Sequence, residues 1–194
     1  MLSKDEFKAK WSSLHSDAET TGIVGAWLNI SYRFGLICTL LRISPNALTL
    51  FGLLGAVATA LTAQSPWAIL FLVFSLFCDG IDGSMAIITS KSSKWGALLD
   101  SIVDRVTEFF WILALYKIGV NMKLLIAVLL IASVQEYLRA RVGGLGVHAV
   151  GVVTFAERPV RASFIFVLLI AFVDFIMGNF VLKMLAKKDL IEYN

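Results

Sequence analysis

Apolar stretches long enough to cross a lipid bilayer recur along almost the whole chain, at about 46–63, 67–88, 95–117, 122–140 and 159–187. This recurrence limits the fold more than any other feature, because a backbone inside hydrocarbon must satisfy its own polar groups and does so as helix. Composition agrees. Charged residues make up 16% of the 194 and the mean hydropathy is +0.82, whereas soluble domains carry roughly 25% charged residues. The reading is an all-α, multi-pass integral membrane protein of one domain over 1–194, with an N-terminal interfacial segment at 1–43 and a transmembrane core at 44–188. The first residues lack the basic-then-apolar order of a cleaved signal peptide. Cys38 and Cys78 both sit among apolar neighbours and are expected to be unpaired.

Two segments admit more than one reading. The stretch 22–41 is apolar but carries Asn29, Tyr32 and Arg33, so it either spans or lies in the interface as an amphipathic helix. The stretch 159–187 is either one long helix or two short ones broken near Asp174 to Asn179, where Gly178 and Asn179 weaken helix. The positive-inside bias separates the combinations. A flat 22–41 with a helical pair at 159–187 gathers the Lys and Arg residues on the cytoplasmic side, leaving only Lys117 and Lys123 outside and Arg105 within the membrane. A spanning 22–41 with a single C-terminal helix erases the bias. The sequence therefore predicts an interfacial N-terminal amphipathic helix plus six transmembrane helices around a polar cavity open to the cytoplasm, with both termini cytoplasmic. Each half of 159–187 would be only about 14 residues, short for a hydrocarbon core of ~30 Å.

Against this apolar background stand Asp79, Asp82, Asp100 and Asp104. Carboxylates inside a membrane protein are costly and need a purpose. Asp79 and Asp82 are three apart and share one helix face; Asp100 and Asp104 are four apart and share another. Antiparallel neighbours joined by the loop Thr89 to Lys94 bring the two pairs together. Gly80 and Gly83 keep side chains away from the carboxylates, and Gly96 lets the next helix approach closely. Four converging carboxylates select a hard cation, Mg²⁺ or Mn²⁺, and carry more charge than one ion balances, which points to two ions. Pairing with Arg105, Arg139 or Arg141 would account for one or two of them and leave the rest unexplained. A cation channel or carrier would place carboxylates at mid-membrane on a path open at both faces. Here they gather towards one face with arginines behind them.

The pattern Asp79-x-x-Asp82-Gly83-x-x-Ala86, eight further residues after position 87, then Gly96-x-x-x-Asp100-x-x-x-Asp104, resembles the signature of the CDP-alcohol phosphotransferase (phosphatidyltransferase) family. One fixed position departs, since Ile87 stands where that pattern has Arg. The segments Ser44-Pro45-Asn46-Ala47-Leu48-Thr49 and Glu157-Arg158-Pro159-Val160-Arg161 also look like family features. The resemblance implies a transferase of phospholipid biosynthesis that displaces CMP from CDP-diacylglycerol with an alcohol hydroxyl. It implies metal on Asp79, Asp82 and Asp100, with Asp104 as a further ligand or the catalytic base. It implies donor binding by Asn46, Thr49, Asp82, Gly83 and Ala86, and a homodimer in the bacterial cytoplasmic membrane whose active site faces the cytoplasm. No nucleic-acid partner is expected. Without the motif arginine, which would be a fixed fork for phosphate oxygens, Lys91 and Lys94 are the candidates to supply charge to the pyrophosphate, with membrane anchoring as their other reading.

The acceptor is read from Glu136, Arg139, Arg141, Arg158 and Arg161, a cationic cluster facing the metal site. Several guanidinium groups suit an acceptor that itself carries phosphate. The Glu157 to Arg161 run resembles that of phosphatidylinositol phosphate synthases, where an arginine matching Arg161 binds inositol phosphate. Glu136 stands where that group has a small hydroxyl residue. Inositol 1-phosphate is the first reading and glycerol 3-phosphate the alternative, with an unphosphorylated alcohol held by Glu136 third. These residues could also form only a structural ion network, and an inactive relative is the remaining alternative. His15 lies in a polar N-terminal segment and His148 in the Gly143 to Gly151 loop, and Gly143-Gly144-Leu145-Gly146 ends a helix without the strand context of a dinucleotide site.

Overall fold

The computed structural model describes residues 1–15, 17–145 and 158–192. Within them are seven helices and no strand: α1 (Lys4–Leu14), α2 (Gly22–Leu40), α3 (Pro45–Leu61), α4 (Trp67–Ile88), α5 (Lys94–Lys117), α6 (Met122–Gly144) and α7 (Arg158–Glu192). The starts are written in side-chain chemistry. Ser3 and Glu6 form a reciprocal capping box on α1. Ser44 accepts from the Ala47 N–H with Pro45 opening α3, Ser93 accepts from Gly96 N–H, and Asn121 accepts from Lys123 N–H.

Small residues let α3 sit tightly against α4. Ser75 Oγ donates to the Gly52 carbonyl at 2.7 Å, and a methyl at Gly55 would meet Phe74 Cδ1 at 2.9 Å and Ser75 Cβ at 3.1 Å. Gly52 and Gly55 thus serve packing inside the chain, one of the two uses open to such a pair. A second core joins α4, α5, α6 and α7 through Leu72, Trp111, Leu115, Leu125, Ile165 and Leu169. The N-terminal helices fasten to the far end of α4: Leu2 N–H donates to Ile88 O at 3.0 Å, Tyr32 Oη donates to Leu2 O at 3.0 Å, and Phe7 is buried against Leu28 and Ile88.

Three helical segments, Gly22–Leu40, Trp67–Ile88 and Val160–Phe180, are long and apolar enough to cross a membrane, and α3 is apolar but shorter. Outer faces of α6 and α7 expose Leu130, Ile131, Phe164, Val167 and Phe175, a far larger apolar surface than a soluble monomer shows. Both cysteines are free.

The expected break within 159–187 does not form. Helix α7 runs unbroken for 35 residues, roughly 52 Å at 1.5 Å per residue. The interval Asp174 to Asn179 holds no proline, and a single glycine costs a helix only about 1 kcal/mol. One helix stands where the pair was expected, so five long helices, α3 to α7, follow the segment 22–41, which forms α2. With 22–41 lying flat, five crossings end on the face opposite to the one where they begin, so the basis for placing both termini on the cytoplasmic side is lost. His148, Glu157 and the Gly146 to Gly151 part of the loop lie outside the described residues.

A test of the α3–α4 contact follows from its geometry. Gly55→Val should lower stability by about 1–3 kcal/mol through overpacking, read as a fall in melting temperature in detergent. Gly143→Ala, where an added methyl meets nothing within 4 Å, should leave it unchanged or slightly raised.

Candidate active site between helices α4, α5 and α7

Helices α4 and α5 are joined by the short Thr89–Ser93 connection, and instead of the direct pairing expected from the sequence, α3 packs against both. Carboxylate oxygens of Asp79, Asp100 and Asp104 come within 4.8 Å of one another. Asp82 is turned differently. It is buried, accepts a 2.5 Å hydrogen bond from Thr49 Oγ1 and a 2.6 Å bond from Gly83 N–H, and so faces α3 and the adjoining cavity.

That cavity, about 210 Å³, is lined by Asn46, Thr49, Asp82, Gly83, Ala86 and Lys91, together with Ser92, Ser93, Gly96 and Asp100. Every residue predicted for the donor lies here except Lys94, the first residue of α5, which is exposed outside the lining. Two motif glycines have local reasons. Gly83 has open space where a side chain would stand, and a methyl at Gly96 would meet Asn46 Oδ1 at 3.3 Å. Gly80 serves another purpose than the one predicted: a side chain there would run into the Trp27 indole of α2. Ile87, in place of the motif arginine, packs with Phe7, Leu28 and Ile88 and belongs to the N-terminal apolar cluster.

The arginines that open α7 have separate surroundings. Arg158 Nη1 donates to both Asp79 oxygens at 2.7 Å, and the same nitrogen is 2.7 Å from Asp104 Oδ1. Its guanidinium carbon lies 5.4 Å from the centre of the fully buried Trp111 ring. Arg158 therefore stands with the aspartates, not with a separate acceptor cluster. Arg161 instead bonds Glu108 through Nε at 2.9 Å and through Nη2, reaches Gln135 Oε1 at 3.4 Å, and is 3.6 Å from Glu136 Oε1. Arg105 pairs with the other Glu108 oxygen at 2.7 Å and lies 3.9 Å from Glu136. Arg139 and Arg141 are exposed near the end of α6. Glu136 thus finds the arginine partners it needs, though they are Arg105 and Arg161.

Glu108 and Trp111 were not singled out from the sequence. Glu108 could have been, because Asp100, Asp104 and Glu108 repeat at four-residue intervals on one face of α5. Trp111 carried no such signal. The donor set fits a divalent ion: three convergent, partly buried carboxylates supply hard oxygen ligands only.

Comparison with known proteins agrees with this geometry. A profile of the CDP-alcohol phosphatidyltransferase family matches residues 42–184. The phosphatidylinositol phosphate synthase of Cutibacterium acnes is 34% identical over 132 residues, covering 60% of this chain and 62% of that protein. The archaetidylinositol phosphate synthase of Aeropyrum pernix is 39% identical over 116 residues, covering 57% and 59%. That of Pyrococcus horikoshii is 31% identical over 144 residues, covering 70% and 73%. The chain thus spans 62% and 59% of the lengths of the first two curated relatives named.

Replacing Glu108 should be severe, since it is buried and pairs with both Arg105 and Arg161. Glu108→Gln is expected to lose about 3 kcal/mol, the cost of stranding a buried partner, measured as reduced resistance to denaturant in detergent micelles.

Proposed function

The chain belongs to the CDP-alcohol phosphatidyltransferase family, and from that premise we propose that it transfers a phosphatidyl group from CDP-diacylglycerol to a hydroxyl of inositol 1-phosphate, releasing CMP. The observation that carries the reaction class is the convergence of Asp79, Asp100 and Asp104 beside a cavity that holds Asp82 and Lys91. The names of the bacterial and archaeal relatives, phosphatidylinositol phosphate synthase and archaetidylinositol phosphate synthase, support the acceptor.

The residues divide the work by their surroundings. The cavity receives the cytidine diphosphate, with the Asn46 amide as a hydrogen-bonding group and Lys91 as a point charge near the pyrophosphate. Thr49 holds one Asp82 oxygen, which aims the carboxylate. Asp79, Asp82 and Asp100 would hold Mg²⁺ or Mn²⁺, two ions by charge. Bound there, the ions supply charge neutralisation for the pyrophosphate and the departing phosphate. Asp104 takes the hydroxyl proton as the acceptor oxygen forms its bond to the β-phosphorus and the bond to the CMP oxygen breaks. The network of buried Glu108 with the partly exposed Arg105 and Arg161 lies one turn further along α5 and bounds the acceptor side. There Arg161 and Arg105 together carry more reach for a phosphate than either alone. Exposed Arg139 and Arg141 add positive charge at the approach.

Apolar outer faces support an integral membrane location. Clustering of Lys91, Lys94, Arg139 and Arg141 at the end that bears the site supports a cytoplasmic-facing active site in a bacterial membrane. The family resemblance supports a homodimer. A profile match that begins at residue 42 supports the boundary between an N-terminal segment at 1–43 and the core at 44–188.

Glycerol 3-phosphate is the second acceptor reading, because it presents the same phosphate group to Arg105 and Arg161. CMP release by purified protein with CDP-diacylglycerol and Mg²⁺ separates the two. Release with inositol 1-phosphate and not with glycerol 3-phosphate, serine or free inositol is expected. Asp104→Asn should lower turnover by about 10²–10⁴ at unchanged folding. In the same assay Lys91→Ala should raise the donor KM, whereas Lys94→Ala, outside the cavity, should not. Release with none of these acceptors would contradict the assignment.

A further inference from the structure

Arg158 occupies the ground that a metal ion needs. A single nitrogen, Nη1, bonds both oxygens of Asp79 and touches Asp104 Oδ1, all at 2.7 Å. Asp79 and Asp104 are two of the three carboxylates whose oxygens come within 4.8 Å of one another. The position is built rather than incidental. The guanidinium lies over the Trp111 ring, and that indole is fully buried between α4, α5 and α7. An Nη1 proton directed at a carboxylate oxygen uses the lone pair that a divalent ion would use, and two cations at contact distance on one carboxylate repel each other. Guanidinium and divalent ion are therefore alternatives at Asp79.

Resting on the metal-dependent reading above, we propose that Arg158 is a resident competing cation. A divalent ion that takes Asp79 displaces the guanidinium from it and from Asp104, and Arg158 returns to neutralise both carboxylates when the ion leaves. This gives the side chain a use outside the donor and acceptor pockets. Clustered carboxylates in an apolar bundle repel one another, and Arg158 keeps them charge-balanced between rounds of metal binding. It also couples the start of α7 to the state of the site, because one side chain reports on both. The guanidinium released by the ion is then available to an anion, so metal loading would precede firm binding of a phosphorylated acceptor.

Calorimetric titration of the full chain in detergent with Mg²⁺, with tryptophan emission followed in parallel, tests the displacement. Arg158→Gln is expected to bind Mg²⁺ at least about tenfold more tightly than the wild type, a difference of about 1.4 kcal/mol. Wild-type emission should change on titration as the guanidinium leaves the indole, and that change should be missing from Arg158→Gln and from Trp111→Phe. Equal or weaker affinity in Arg158→Gln overturns the proposal and leaves the metal reading standing, as does wild-type binding without a Trp111-dependent signal. Absence of binding heat in both proteins overturns the metal reading and the proposal together. Should Arg158→Gln fail to fold, Arg158→Lys retains the charge without the planar fork. Its expected gain in affinity is smaller and of the same sign, and no gain there overturns the proposal.

Discussion

Four aspartates on adjacent turns of two neighbouring helices repel one another, and much of the structure supplies the positive charge and hydrogen bonds that they require. Asp82 is satisfied by Thr49 from α3 and by the Gly83 backbone. Asp79 and Asp104 draw Arg158 from the start of α7. One turn along α5, Glu108 draws Arg161 from the same helix end and Arg105 from its own. Helix α3 packs against both α4 and α5, and its approach to α4 is close because Gly52, Gly55 and Ser75 meet there. Packing and electrostatics are therefore a single arrangement: small residues set the helix spacing, and the spacing sets which charges can pair.

The same arrangement explains how the site tolerates Ile87 at a position where the family pattern has arginine. Ile87 is drawn into the apolar cluster of Phe7, Leu28 and Ile88, which fastens the N-terminal helices to α4. Positive charge at the cavity comes instead from Lys91, beyond the helix end, and positive charge at the aspartates comes from Arg158. These two cations sit on the α4–α5 connection and on α7, outside the α4 position where the family pattern has its arginine.

Much of this was legible in the chain, for physical reasons. Asp79, Asp82, Asp100 and Asp104 declared themselves because carboxylates rarely stand among apolar runs, and helix periodicity then put each pair on one face. Asn46, Thr49, Gly83 and Ala86 were placed by the resemblance, and Lys91 by the missing motif arginine, and all five line one cavity. Three features were not legible. Continuity of α7 depended on whether one glycine in a proline-free stretch breaks a helix, which local propensity alone does not decide. The partners of Arg158 and Arg161 could not be told apart, because both residues open the same helix and only the packing of α5 sends one to Asp79 and Asp104 and the other to Glu108. Gly80 was read as clearing room for carboxylates, whereas the ring that it accommodates is Trp27, 53 residues away in sequence and brought there by α2.

The central claim is that the converging carboxylates of α4 and α5 exist to hold a divalent cation. Anomalous diffraction from crystals grown with Mn²⁺ tests it most directly. The account predicts a peak between α4 and α5 at about 2.2 Å from carboxylate oxygens of Asp79 and Asp100, with Arg158 no longer bonded to Asp79. A site without a peak, with Arg158 still bridging Asp79 and Asp104, would show that the aspartates serve the ion network and would contradict it.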